Sequence, residues 1–248
     1  MSFRFVFSDA REWRYIIESI AALIEEATFV VTPEGVKLRA LDPSRVAMVD
    51  LELPSTAFEE YSCEAETRVG VNFDDMKKIL KRCKKDDKVE YEVAGGKLKI
   101  KIIGKATRSF VLPLIDIGAE TLPTPRVAFT ARVKLLSDAV EEAIRDAEVI
   151  ADTVKLEASE EMFAIKAMSD KGDLEVQFGR ESGSLIEYEV TEPAVASYSL
   201  EYMGDIVKKS AKIADLVTIE FATNKPVALT FEIPLGGRLV YYLAPRME

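Results

Sequence analysis

Two stretches of this chain carry the same pattern. Residues 71–82 read Val-Asn-Phe-Asp-Asp-Met-Lys-Lys-Ile-Leu-Lys-Arg, and residues 198–209 read Tyr-Ser-Leu-Glu-Tyr-Met-Gly-Asp-Ile-Val-Lys-Lys. Met76, Ile79 and Leu80 match Met203, Ile206 and Val207, and Lys81-Arg82 matches Lys208-Lys209. Each run leaves a strand and enters a helix whose apolar residues share one face. The likeness spreads outward. Ser137-Asp138-Ala139 repeats Ser8-Asp9-Ala10, which offers a helix cap. The first helix shows the apolar stripe Trp13, Ile16, Ile17, Ile20, Leu23 and Ile24, and the helix of the second copy turns Val140, Ala143, Ile144 and Ala147 inward. Strands expected over 28–31, 35–40 and 46–53 return over 153–158, 162–168 and 174–178. The hairpin 88–93/97–103 around Ala94-Gly95-Gly96 returns as 217–221/227–233 around Asn224-Lys225-Pro226. A duplicated pattern must fold into two similar units.

Between the copies lies Asp116-Ile117-Gly118-Ala119-Glu120-Thr121-Leu122-Pro123-Thr124-Pro125, which has no periodicity and reads as a linker. The expected division is a first domain over 1–115, a linker over 116–126 and a second domain over 127–248. Each copy holds more strands than two helices can cover on both faces. The expected class is therefore α+β, two similar domains in tandem, each an antiparallel sheet with two helices on one face.

The chain has no histidine. That excludes Ser-His and Cys-His nucleophile pairs and imidazole metal sites. Two cysteines, Cys63 and Cys83, do not make a disulfide framework and point to a reducing, intracellular setting. No apolar run reaches the roughly 18 residues of a membrane span, and residues 1–5 do not read as a signal peptide. The formal net charge is -10, so any nucleic-acid contact needs a segregated basic surface.

Such a surface is suggested by the helix expected over 74–85. Asp74 and Asp75 suit its first turn. Lys77, Lys78, Lys81, Arg82, Lys84 and Lys85 fill the rest of its outer side, and the run 77–85 lacks interleaved acids that would make i,i+4 pairs. The acids gather elsewhere, at 59–60, 64, 66, 157–161 and 187–192. A basic helix is ordinarily a solvated face. Here the charge recurs in the second copy, which favours phosphate contact along a backbone, without sequence readout. No aromatic residues interleave with the lysines, so base stacking is not expected. Asp74 with Asp75, or Asp86 with Asp87, would suit a carboxylate-dependent nuclease or phosphotransferase. Nothing in the sequence supplies a third ligand, and no metal, catalytic residue or cofactor is expected. The apolar tail Leu239-Val240-Tyr241-Tyr242-Leu243-Ala244-Pro245 reads as a final strand with a segment lining a groove.

The tail 241–246, the run Val69-Gly70-Val71-Asn72 leading to Ile79-Leu80-Lys81, and Gly35-Val36-Lys37-Leu38-Arg39-Ala40-Leu41-Asp42 together resemble proliferating cell nuclear antigen, the sliding clamp of archaeal and eukaryotic replication and repair. The resemblance covers the whole chain. It implies a trimeric ring of pseudo-six-fold symmetry around duplex DNA, with helices lining the hole and no catalysis. It implies DNA-facing residues at Arg14, Lys78, Lys81, Arg145 and Lys208, and helical geometry adds Arg11, Lys84, Lys209 and Lys212. Ala21 stands where many members carry lysine. A pocket for short partner peptides is implied at Leu41, Arg45, Met48, Leu122, Pro226, Tyr242, Ala244, Pro245, Arg246 and Met247, with Arg45 where many members have histidine. Subunits are expected to join through Ser109, Phe110, Val111 and Leu112 of one chain and Glu175, Val176, Gln177 and Phe178 of the next. The implied partners are double-stranded DNA, DNA polymerase, clamp loader, flap nuclease, DNA ligase and further copies of the chain. A clamp relative used in loading or checkpoint control would lack a complete peptide pocket, which the intact tail argues against.

Overall fold

The computed structural model describes residues 3–118 and 121–247. Ala119 and Glu120 of the expected linker lie outside the described residues, as do Met1, Ser2 and Glu248. The chain divides into two compact units. The first takes residues 1–43, 49–122 and 233–239, and the second takes 44–48, 123–232 and 240–248. The exchange of the short segments 44–48 and 233–239 is a feature that the linear division does not contain.

In the first half of the chain the elements are β1 (Phe3–Phe7), α1 (Ala10–Ala21), β2 (Glu26–Thr32), β3 (Gly35–Leu41), β4 (Ala47–Pro54), β5 (Glu60–Cys63), β6 (Thr67–Asn72), α2 (Phe73–Leu80), β7 (Lys88–Ala94), β8 (Lys97–Ile103) and β9 (Thr107–Pro113). They form two antiparallel groups, in the orders β5-β1-β7-β8-β9 and β4-β3-β2-β6. The second half holds β10 (Ala131–Leu136), α3 (Ser137–Ile150), β11 (Thr153–Ala158), β12 (Met162–Ser169), β13 (Gly172–Gly179), β14 (Leu185–Val190), β15 (Ala194–Ser199), α4 (Leu200–Ser210), β16 (Leu216–Phe221), β17 (Val227–Ile233) and β18 (Gly237–Leu243). The same orders recur, as β14-β10-β16-β17-β18 and β13-β12-β11-β15. Each unit thus has two sheet groups where one sheet was expected. The sequence alone does not mark β10 or β14, and of β15 it marks only the end at Tyr198-Ser199. Glutamates and polar residues dilute the alternation in β14 (Leu-Ile-Glu-Tyr-Glu-Val).

Helix α1 buries Ala10, Trp13, Ile16, Ile17 and Ile20 on one stripe. Burial of each large apolar side chain contributes roughly 1.5–3 kcal/mol. Trp13 donates its indole N–H to the Tyr91 hydroxyl at 3.1 Å, so this buried polar atom is satisfied. Asp9 caps the helix by accepting from the amides of Arg11 (2.9 Å) and Glu12 (3.1 Å).

The amides that open the helices give the internal register. Ala10 N donates to Asp87 O and Ser137 N to Asp215 O, both at 2.8 Å. Phe73 N donates to Glu25 O at 2.8 Å and Leu200 N to Asp152 O at 2.9 Å. The helix openings therefore share one offset, Ala10 to Ser137 as Phe73 to Leu200. It preserves the matching of Met76 with Met203. It corrects the expected alignment of Ser8-Asp9-Ala10 with Ser137-Asp138-Ala139, because Ala10 occupies the place of Ser137. The buried residues agree with this register: Trp13, Ile16, Ile17 and Ile20 of α1 correspond to Val140, Ala143, Ile144 and Ala147 of α3.

Helix α2 ends at Leu80, short of the expected Lys85. The chain turns as Cys83 N reaches Leu80 O (2.9 Å), and the Asp87 carboxylate accepts from Lys84 N (3.0 Å). Cys83 is buried all the same, as its place on the apolar stripe required.

Candidate functional site

The corrected register changes the charge pattern. Arg11 and Arg14 of α1 correspond to Asp138 and Glu141 of α3, and Arg145 corresponds to Glu18. Helix α3 carries Asp138, Glu141, Glu142, Asp146 and Glu148 against Arg145 alone. The expectation that the charge recurs on equivalent helices of the second copy therefore fails position by position for α1 and α3. It holds at the ends of α2 and α4, where Lys81-Arg82 corresponds to Lys208-Lys209.

The run 77–85 holds no interleaved acid, but the two acids just before it pair with its first lysines. Asp74 accepts from Lys77 at 2.9 Å and Asp75 from Lys78 at 3.5 Å, pairs at i,i+3 rather than i,i+4 spacing. Lys77 holds the Asp74 carboxyl below its ordinary range by hydrogen bond and charge. These pairs are exposed and stabilise little. The Lys78 side chain remains 76% accessible, so its charge stays presented to solvent. Lys81, Arg82, Lys84 and Lys85 are exposed around the turn that follows, and Lys209 and Lys212 are exposed at the end of α4. Arg145 is exposed and bonded to Glu141 at 2.5 Å.

Three of the expected DNA-facing cations have work inside the fold. Arg14 is only 19% accessible and donates to the main-chain oxygens of Lys81 (3.0 Å) and Cys83 (3.3 Å). A cation there complements the negative end of α2. Arg11 is half-buried beside Asp9, 3.9 Å away. Lys208 bridges α4 to α3 through Glu148 at 2.6 Å. Gly204 makes that bridge possible, since a Cβ there would meet Glu148 Oε1 at 2.2 Å. Burial pushes the neighbouring Asp205 carboxyl up, against the pull of Lys208 and Lys209.

The carboxylate pairs weighed for catalysis are occupied otherwise. Asp74 and Asp75 hold lysines, and Asp87 closes a turn and lies 3.7 Å from Arg108. Among the described residues no group of three or more metal-ligating side chains comes together. Burial pushes the Cys83 thiol up to about 11 and raises that of Cys63, so neither is a ready nucleophile.

The tail is firmly seated in the second unit. Ala244 N donates to Val46 O at 2.9 Å, joining the tail to the loop of Arg45 and Met48. Arg246 N donates to Ser197 O at 2.7 Å, and its guanidinium reaches Thr153 Oγ1 at 2.7 Å. Tyr242, Ala244, Pro245 and Pro226 are half-buried, Met48 is buried, and Arg45, Arg246 and Met247 are exposed. Arg45 adopts φ 57°, a left-handed turn conformation. In the first unit Leu41 and Leu122 are half-buried. Arg39, to which the sequence alone assigns no role, donates to Leu122 O at 3.0 Å and to Asp50 at 2.7 Å.

The strands expected at subunit contacts are sheet edges. β9 pairs with β8 and β13 with β12, and each is last in its order. Val111 is 57% exposed on β9, while Glu175 and Gln177 are exposed on β13 and Phe178 is buried against Phe163.

Residues 3–108 match the N-terminal domain of proliferating cell nuclear antigen, and residues 124–246 match its C-terminal domain. The chain belongs to the proliferating cell nuclear antigen family. The family match takes in both halves of the duplication. The DNA polymerase sliding clamp of Thermofilum pendens is 51% identical over 245 residues, covering 99% of each chain. DNA polymerase sliding clamp 1 of Pyrobaculum aerophilum is 51% identical over 240 residues, covering 97% of this chain and 96% of that one. Solved proliferating cell nuclear antigen from Thermococcus kodakaraensis superposes with a TM-score of 0.94 at 29% identity, covering 98% of this chain and 100% of that one. A chain of the PCNA2–PCNA3 complex from Sulfolobus tokodaii gives 0.92 at 32% identity, covering 99% and 100%. The tandem clamp domains of the proliferating cell nuclear antigen family are thus the fold of this chain.

Proposed function

We propose that this chain is a DNA sliding clamp that works as a closed trimer around duplex DNA and tethers polymerase to its template. The observation that carries the reading is the family match across both halves of the chain. The clamp holds by topology and performs no catalysis, so backbone contacts can stay loose enough to slide. It acts inside the cell, where DNA is replicated and repaired.

The open edges support the assembly. A chain with exposed edge strands at β9 and β13 gains by pairing them with other copies, one edge against the other. Two different edges make a heterologous contact, which closes into a ring when the rotation suits. Ser109 to Leu112 and Glu175 to Phe178 form that contact in this proposal.

The exposed cations Lys78, Lys81, Lys84, Lys209, Lys212 and Arg145 face the DNA phosphates, and Arg11, Arg14 and Lys208 contribute field while serving the fold. Polymerase, clamp loader, flap nuclease and ligase dock short peptides on Leu41, Arg45, Met48, Leu122, Pro226, Tyr242 and the tail to Met247. The bonds that seat Ala244 and Arg246 keep the tail ready for such a peptide.

Light scattering across a range of concentrations tests the assembly. A mass of three chains is expected, together with stimulation of a polymerase on primed circular DNA. A monomer at every concentration that gives no stimulation would remove the proposal.

A further inference from the structure

We infer that Arg39, held by Asp50, is a positioning residue that fixes the interdomain linker at Leu122 for peptide docking. The inference rests on the proposed peptide pocket, of which Leu122 is the linker's member.

The geometry is specific. Arg39 lies on β3 and Asp50 on β4. One terminal nitrogen of Arg39 donates to the Asp50 carboxylate at 2.7 Å and the other to the Leu122 carbonyl at 3.0 Å. Among the described residues of 116–126, this is the one hydrogen bond from the segment to a strand. The other bond there is local, from Gly118 N to Asp116. Two prolines, Pro123 and Pro125, remove further amide donors from the segment. The linker therefore has little of its own to set its course, and a side chain of the sheet does so.

Asp50 is the reason the bond holds its direction. The Asp50 side chain is only 9% accessible and that of Arg39 26%, so both are withdrawn from water. A planar guanidinium can serve a carboxylate and a carbonyl at once, whereas a lysine ammonium has no fixed fork. Asp50 aims one nitrogen, and the plane of the group then aims the other at Leu122. Ordering the linker before a peptide arrives lowers the entropic cost of binding.

The test uses the full chain as wild type, Arg39→Gln, Asp50→Asn, the double variant Arg39→Gln/Asp50→Asn, and Tyr242→Ala. The first readout is affinity for a fluorescein-labelled interacting peptide from the replicative polymerase of the same cell. The second is the rate of trypsin cleavage after Arg126, an exposed linker residue. Each single variant should weaken the peptide by about five- to tenfold. Cleavage should quicken, while the solution mass stays that of wild type. The double variant should be no worse than the poorer single one, because the two residues act as a unit. It also replaces a buried charge pair by a neutral pair, and so gives the reading if a single variant does not fold. Peptide affinity unchanged in all three variants, with binding lost in Tyr242→Ala, would overturn the inference and leave the pocket standing. Affinity unchanged in Tyr242→Ala as well would remove the pocket itself, and the inference with it.

Discussion

The guanidinium of Arg14 on α1 donates to the main-chain oxygen of Lys81 at 3.0 Å, at the end of α2. A residue expected to face DNA thus ties one helix to the next, and its neighbour in space is one of the exposed cations. Arg14→Ala should cost about 1–2 kcal/mol of stability, because carbonyls at the negative helix end lose their donor. Thermal unfolding checks this. A variant as stable as wild type with DNA retention impaired would restore Arg14 to the DNA surface.

Lys78, Lys81 and Lys209 have no such commitment to the fold. Their joint replacement by alanine should shorten the residence of loaded rings on DNA and leave the solution mass unchanged. Direct DNA affinity measured against salt should show a shallower dependence, by about 0.9 in log–log slope for each phosphate that is no longer neutralised. An unaltered slope would mean that these lysines do not meet phosphates.

Gly70 is required by a close approach. A Cβ there would sit 1.9 Å from the Ile115 oxygen, where the chain entering the linker lies along β6 and Ile115 N donates to Gly70 O at 3.1 Å. Gly70→Ala should destabilise by about 1–3 kcal/mol, since backbone must move. Gly183→Ala meets nothing within 4 Å and serves as the control. Urea denaturation distinguishes the two, with a shifted midpoint expected for the first alone.

Val111 offers the clearest probe of the β9 edge. Val111→Glu puts an acid on an exposed apolar position of a strand proposed to pair with an edge that carries Glu175. Like charges across a strand pair repel. Light scattering should show single chains where wild type gives three. A trimer that persists would move the contact elsewhere.

Glu90 contributes to acid stability in the first unit. Burial pushes its carboxyl up, but hydrogen bonds and charge from Lys101 (2.5 Å) and Arg4 (2.7 Å) outweigh this and hold it below the ordinary 4.5. Arg4 is shared with Glu60. A depressed folded value means that the stabilisation is present above the unfolded value and is lost as pH falls through the folded one. Wild type should therefore lose stability progressively below about pH 4.5. Glu90→Gln should be less stable at pH 7 by about 1–3 kcal/mol, with a flatter decline in acid. Melting curves across pH would show it, and parallel curves for the two proteins would refute it.

The legibility of the chain followed the strength of each pattern. Met76 and Met203 open the same run of spacing, Met-x-x-Ile-Leu and Met-x-x-Ile-Val, so α2 and α4 aligned correctly from sequence. Ser8-Asp9-Ala10 and Ser137-Asp138-Ala139 are a coincidence of letters two positions out of step. Only the bonds from Ala10 N to Asp87 O and from Ser137 N to Asp215 O expose it. The end of α2 at Leu80 was hidden because no glycine or proline marks it, and the turn after it is held by the Asp87 side chain. That β9 and β13 lie at sheet edges is visible only in the fold, because sequence pairs no strands by itself.

By itself, then, the sequence determined the duplication, the apolar faces of four helices and the run of cations at 77–85 on an acidic chain. These are one-dimensional properties, set by residue type and spacing along the chain. The tertiary structure decided which charges are free. Arg14, Arg39 and Lys208 look in sequence like Lys78 and Lys209, but their partners, Lys81 O, Leu122 O and Glu148, come from distant segments. A charge's role depends on what packs beside it and on how much water remains, and both exist only once the chain has folded.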